Sequence, residues 1–143
     1  MDTREIDDEG EYWERWIVSE MCGIDFGMYR SNPKVLTMRI LESHLEEILH
    51  DIENLKKSMT NPEAEYATIA VGYQILALLI LETSSFLPDI VRQEVLKSTV
   101  WEYDYKQWRW GSKTIESRKT FLEKLREAID HYIPGKSYII YDH

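Results

Sequence analysis

The sequence predicts a mainly α protein: a single-domain bundle of about four or five helices, to which an aromatic segment and the C-terminus would add a small β-hairpin. Three observations carry that prediction. The chain has 143 residues, the length of one domain, with no internal repeat. Hydrophobic residues make up 43% and aromatic residues 12%, enough to fill a real core. Apolar residues recur at spacings of three and four over most of the chain, which is the period of one helix face.

Residues 1–10 hold Asp2, Glu5, Asp7, Asp8 and Glu9, with Ile6 as their one large aliphatic. That is too little burial to offset ordering entropy, so a loose acidic tail is expected before a helical domain over residues 11–143. From Glu11 to Met21, the residues Tyr12, Trp13, Trp16, Ile17 and Met21 keep helical spacing, and Gly23 and Gly27 break it. The stretch from Gly23 to Pro33 reads as turn, and Ser31-Asn32-Pro33 supplies a cap and a first-turn proline for a long helix. Met38, Leu41, Leu45, Ile48, Ile52 and Leu55 are its apolar stripe. Arg39, Glu42, Glu46, Glu47, His50 and Glu53 form an acidic outer face, and Lys56 and Lys57 suit the negative end of the helix dipole.

Thr60-Asn61-Pro62-Glu63 has capping-box spacing and opens a second helix, about Pro62 to Thr83. Between Ile69 and Leu81 it is apolar on nearly every side, so it is expected at the centre of the bundle. Ser84, Ser85 and Pro88 mark a turn, after which Ile90, Val91, Val95 and Leu96 stripe a shorter helix. From Thr99 to Gly111 large and charged residues alternate, and period two predicts extended structure. A last helix, roughly Thr114 to Tyr132, uses Ile115, Arg118, Leu122, Leu125, Ile129 and Tyr132 with Phe121 beside the seam, and Pro134-Gly135 stops it. Ser137 to Tyr141 is rich in strand formers and would pair with the aromatic segment.

Composition narrows the function classes. The net charge is −9: residues 1–71 carry 16 acids against 7 bases, whereas residues 72–143 carry 10 of each. Phosphate recognition needs clustered Lys and Arg, so direct nucleic-acid binding is disfavoured and a basic partner favoured. The N-terminus lacks the basic start and apolar stretch of a secretory signal. The longest apolar run, Ala67 to Leu81, is interrupted by Gly72 and Gln74 and falls short of the roughly 20 residues that cross a bilayer. With Cys22 as the single cysteine, there is no internal disulfide, and a cytoplasmic location without membrane attachment is expected.

Chemistry-bearing patterns are sparse. Glu47-Ile48-Leu49-His50 has Glu-x-x-His spacing, but His44, His131 and His143 follow Leu41, Ala128 and Ile140, so the second copy that a di-metal bundle requires does not exist. No metal or other cofactor is expected. Cys22 has no histidine near it in sequence and reads as a packing residue. The phosphate-binding glycine loop, the Gly-x-Ser-x-Gly elbow and Cys-x-x-Cys do not occur.

Arg39 to His44 and Arg126 to His131 each have Arg-x4-His spacing, which resembles the catalytic signature of the HEPN ribonucleases, small all-helical dimers. The resemblance implies that Arg126 and His131 meet across a dimer cleft, polarise a phosphodiester and handle protons. Ile40 and Glu127 stand where that family usually has a small polar residue. Along one helix the two side chains differ by about 140°, so an inter-subunit cleft would have to unite them.

The acidic face and the aromatic segment remain. Trp101, Tyr103, Tyr105, Trp108 and Trp110 fall within ten residues. Trp and Tyr give large contact area at small entropic cost, and Trp108 and Trp110, beside Lys106 and Arg109, are the pair expected at the surface. The reading is an acidic binding protein, not an enzyme, that occludes the basic functional cleft of a partner protein. An immunity protein neutralising a nuclease-type toxin, or a phage-encoded inhibitor of a nuclease or defence complex, has this character. Its expected contact residues are Asp7, Asp8, Glu9, Glu11, Glu42, Glu46, Glu47, Glu53, Glu102, Asp104, Trp108 and Trp110. The alternatives are the HEPN-like ribonuclease and a scaffold subunit that buries its spare apolar faces against copies of itself, a homodimer being the smallest case.

Overall fold

The computed structural model describes residues 8–60, 62–99 and 112–133. Residues 1–7 of the expected tail, the cap residue Asn61, the alternating aromatic segment from Val100 onward and the Ser137–Tyr141 strand lie outside the described residues. Every regular element among the described residues is helical. In chain order they are α1 (Asp8–Arg15), a π turn (Trp16–Met21), α2 (Phe26–Ser31), a 3-10 turn (Pro33–Val35), α3 (Met38–Lys57), α4 (Pro62–Thr83), α5 (Asp89–Ser98) and α6 (Ser112–His131).

Helix α1 starts at Asp8, three residues before the start read from apolar spacing. The helix then widens: Cys22 N–H donates to Ile17 O, five residues back, at 3.0 Å. Gly23 ends it at φ +70, a left-handed conformation that glycine adopts without steric cost.

Two helix starts differ from expectation. The segment read as turn contains α2, because the Asp25 side chain accepts a hydrogen bond from Met28 N–H at 2.9 Å and nucleates two turns across Gly27. The long helix does not begin at Ser31-Asn32-Pro33, since Asn32 makes no side-chain cap and Pro33 opens only a 3-10 turn. Thr37 is the cap instead, accepting from Ile40 N–H at 3.2 Å.

Helix α4 is the centre. Ile69 through Leu81 is buried without interruption, and α1, α3, α5 and α6 all pack against it. The α3 stripe buries Leu41, Leu45, Ile48 and Ile52, while its end members Met38 and Leu55 are exposed. Beyond α4, Ser84 takes φ +58, Ser85 N–H donates to Ile80 O at 3.0 Å and Ser84 N–H to Leu81 O at 3.3 Å. That pair of bonds is a Schellman turn with serine in place of the usual glycine, and it redirects the chain into α5. From α6, Phe121, Leu122, Leu125 and Ile129 complete the core, and the Tyr132 hydroxyl donates to Ser85 O.

The approach of α1 to α4 depends on Gly72. A Cβ there would stand 2.9 to 3.1 Å from three atoms of the Trp13 indole, which is itself buried. Gly72→Ala therefore raises helix propensity by about 1 kcal/mol yet is expected to destabilise the protein by a net ~1–3 kcal/mol, because the ring has no room to retreat. Urea unfolding of the variant checks this; a rise in its midpoint would contradict the packing.

Candidate partner-binding face

The outer face of α3 is where the described carboxylates gather. Its buried stripe fixes the direction of every other side chain on the helix. Glu46, Glu47 and His50 point about 130–170° from the stripe centre at 100° per residue, and all three are exposed. Glu42 and Glu53 lie at about 90–110°, on one flank, and both meet neighbouring elements. Glu42 Oε2 accepts from Phe86 N–H at 2.6 Å, holding the α4–α5 loop. Glu53 is half-buried and accepts from the Tyr73 hydroxyl on α4.

Tyr73 is fully buried, and burial first, then its bond to Glu53 and the charges of Glu53 and Glu94, push its phenol far above the usual range. It stays protonated and donates. Beside it, Lys56 of α3 and Glu94 of α5 are 3.2 Å apart. This polar cluster joins α3, α4 and α5 and fixes the acidic helix to the core.

The remaining expected contact residues are dispersed. Asp8 and Glu9 fall in the first turn of α1, and Glu11 in the same helix pairs with Arg15 at 3.4 Å. Asp7, Glu102, Asp104, Trp108 and Trp110 lie outside the described residues. The structure thus leaves Glu46 and Glu47 exposed away from the core, holds Glu42 against the α4–α5 loop, turns Glu53 toward Tyr73, and places Glu11 on another helix.

One acid was missed by the sequence reading. Glu14 is fully buried, accepts from the Tyr29 hydroxyl at 3.1 Å and lies 3.5 Å from the Arg30 guanidinium, so α2 closes over α1. Its signal was its phase: Ile17 and Val18, one turn on, are both buried. Arg30 and Arg15 also lie over the Phe26 ring, at 5.8 and 4.5 Å from its centroid.

The nucleophile and ribonuclease candidates have ordinary structural surroundings. Burial pushes the Cys22 thiol up to about 11, which leaves it protonated and unreactive at neutral pH. Arg126 donates to Leu96 O and, at 3.3 Å, to Thr99 Oγ1, so its guanidinium closes the C-terminal end of α5. Arg92 of α5 reciprocates, donating to Ile129 O and, at 3.3 Å each, to Asp130 O and Tyr132 O at the end of α6. His131 is exposed, with its ring 3.8 Å from Asp130. Each arginine offsets the partial negative charge of an antiparallel neighbour's C-terminus.

Among the described residues no helix is long and apolar enough to cross a membrane, and no three His, Cys, Asp or Glu side chains are grouped to hold a metal ion. Comparison with protein-family models, with curated proteins and with solved structures finds no match.

The arginine exchange predicts unequal alanine scans. Arg126→Ala and Arg92→Ala should each destabilise the fold by ~1–3 kcal/mol, since carbonyl oxygens lose charge-assisted donors. His131→Ala should change stability by less than about 0.5 kcal/mol, as at other exposed positions. Thermal melts of the three variants check the ordering; equal effects would contradict it.

Proposed function

We propose that this chain is an acidic helical binding protein that occludes the basic functional cleft of a partner protein. The observation that carries the reading is that Glu46 and Glu47 stand exposed on α3, a helix whose opposite face is buried and one flank of which is tied down through Glu42 and Glu53. Carboxylates on a rigid helix are pre-organised and lose little entropy when they meet Lys and Arg. They take the place of phosphates in a cleft built for nucleic acid, and the net charge of −9 steers the encounter. The partner class is a nuclease-type toxin, with this chain as its immunity protein, or a nuclease or defence complex, with this chain as a phage-encoded inhibitor. The setting is the cytoplasm, and the chain acts by binding, without catalysis of its own. Against the ribonuclease alternative stands the engagement of Arg126 with the end of α5, which leaves its guanidinium turned away from a phosphodiester role.

The test is affinity capture from the native host with two baits, the wild-type protein and Glu46→Lys/Glu47→Lys, each washed at low and at high salt. Both positions are exposed, so the charge-reversed variant should fold. The expected result is one basic protein retained by the wild type in low salt, weakened in high salt and lost from the variant. Retention of the same protein by both baits, or recovery of RNA instead, would overturn the reading.

A further inference from the structure

Where α4 gives way to α5, three apolar side chains from two separate stretches of chain stand in solvent. Phe86 is 58% exposed, Ile133 55% and Ile90 37%. Hydrogen bonds hold their backbones in place: Phe86 N–H to Glu42 at 2.6 Å, the Tyr132 hydroxyl to Ser85 O, and Arg92 to the carbonyls of Asp130 and Tyr132. Such residues are presented by a fixed framework, and an aromatic held in that way gives up little entropy on contact.

The charges around them have one prevailing sign. Glu42 borders Phe86, Asp89 precedes Ile90, and Asp130 lies beside the end of α6; all three are exposed. Arg92, the cation between them, is directed into the α6 carbonyls. With Arg39 of α3 counted in, the rim remains net negative. An apolar centre inside a polar rim is the anatomy of a protein–protein interface.

We infer that this end of the bundle docks a protein partner whose contact surface is an apolar protrusion flanked by Lys or Arg side chains, with Phe86 as the anchor. The inference rests on the reading that the partner is basic, and it adds where the apolar contact is made. Charge selects the occupant. Two-fold pairing with a second copy would bring together two rims of the same net sign, and an anionic lipid surface would repel the same rim.

The test uses two peptide probes on the full isotope-labelled protein: an amphipathic helix of alternating leucine and lysine clusters, and oligolysine of equal charge. Amide shifts and affinity are measured for the wild type and for Phe86→Ala, whose exposed position leaves the fold intact as read by circular dichroism. The leucine–lysine peptide should shift the amides of Phe86, Ile90 and Ile133, and Phe86→Ala should weaken it about tenfold while changing oligolysine binding by less than about twofold. If both peptides shift only the Glu46 and Glu47 region and Phe86→Ala leaves both affinities unchanged, the anchor is wrong and the acidic-face reading stands. If neither peptide binds, both fall.

Discussion

A helix apolar on every side dictates the rest of this structure. From Ile69 to Leu81, α4 has no face for water, so it exists only inside a shell of other helices, and α1, α3, α5 and α6 supply that shell. Its two polar interior residues then constrain the shell. An unpartnered buried polar group costs about 1–3 kcal/mol, and both are satisfied from outside the helix. Tyr73 donates to Glu53 of α3, while Gln74 Nε2 donates to Ser98 Oγ of α5 at 3.0 Å, whose hydroxyl passes on to Val95 O at 3.2 Å. Gly72 adds a steric condition by letting the Trp13 ring lie against the α4 backbone. One stretch of α4 thus fixes the positions of α1, α3 and α5.

The same constraint sorts the carboxylates. Glu14 and Glu53 face inward, with Tyr29 and Arg30 around the first and Tyr73 on the second, and Glu94 meets Lys56. These act as ties between helices, since a buried charge is tolerated only with partners. Glu46 and Glu47 stay outside, exposed on the side of α3 away from the core. The arginines of α5 and α6 serve the fold as well: Arg92 and Arg126 each donate to the carbonyls at the end of the other helix.

How far the sequence was legible follows from which forces are periodic. The α3 stripe from Leu41 to Ile52, the all-round burial of α4 from Ile69 to Leu81, the break at Ser84-Ser85 and the α6 seam from Leu122 to Tyr132 are periodic or marked by turn residues, and these stand in the structure. What misled were local competitions that periodicity does not record. Asp25 caps a helix across a glycine, and Thr37 outcompetes Asn32-Pro33 because its hydroxyl reaches an N–H that Asn32 does not. At the candidate face, the acids of α3 divide between flank and back: Glu42 and Glu53 at the flank meet Phe86 and Tyr73, and Glu46 and Glu47 behind are exposed. Phase angles alone separate them. Glu14 was visible by the same angle, as an acid in step with Ile17 and Val18. The exposed position of Phe86 had no sequence signal, because only the folded loop brings it beside Glu42.

The claim that α4 organises the fold has a direct test in native-state hydrogen exchange. If the shell helices depend on α4, its amides from Val71 to Leu81 should exchange only through global unfolding, with protection equal to the stability from denaturant melts, while the ends of α3 and α5 open at lower free energy. Exchange of the α4 amides through a smaller opening, with α3 still protected, would contradict it.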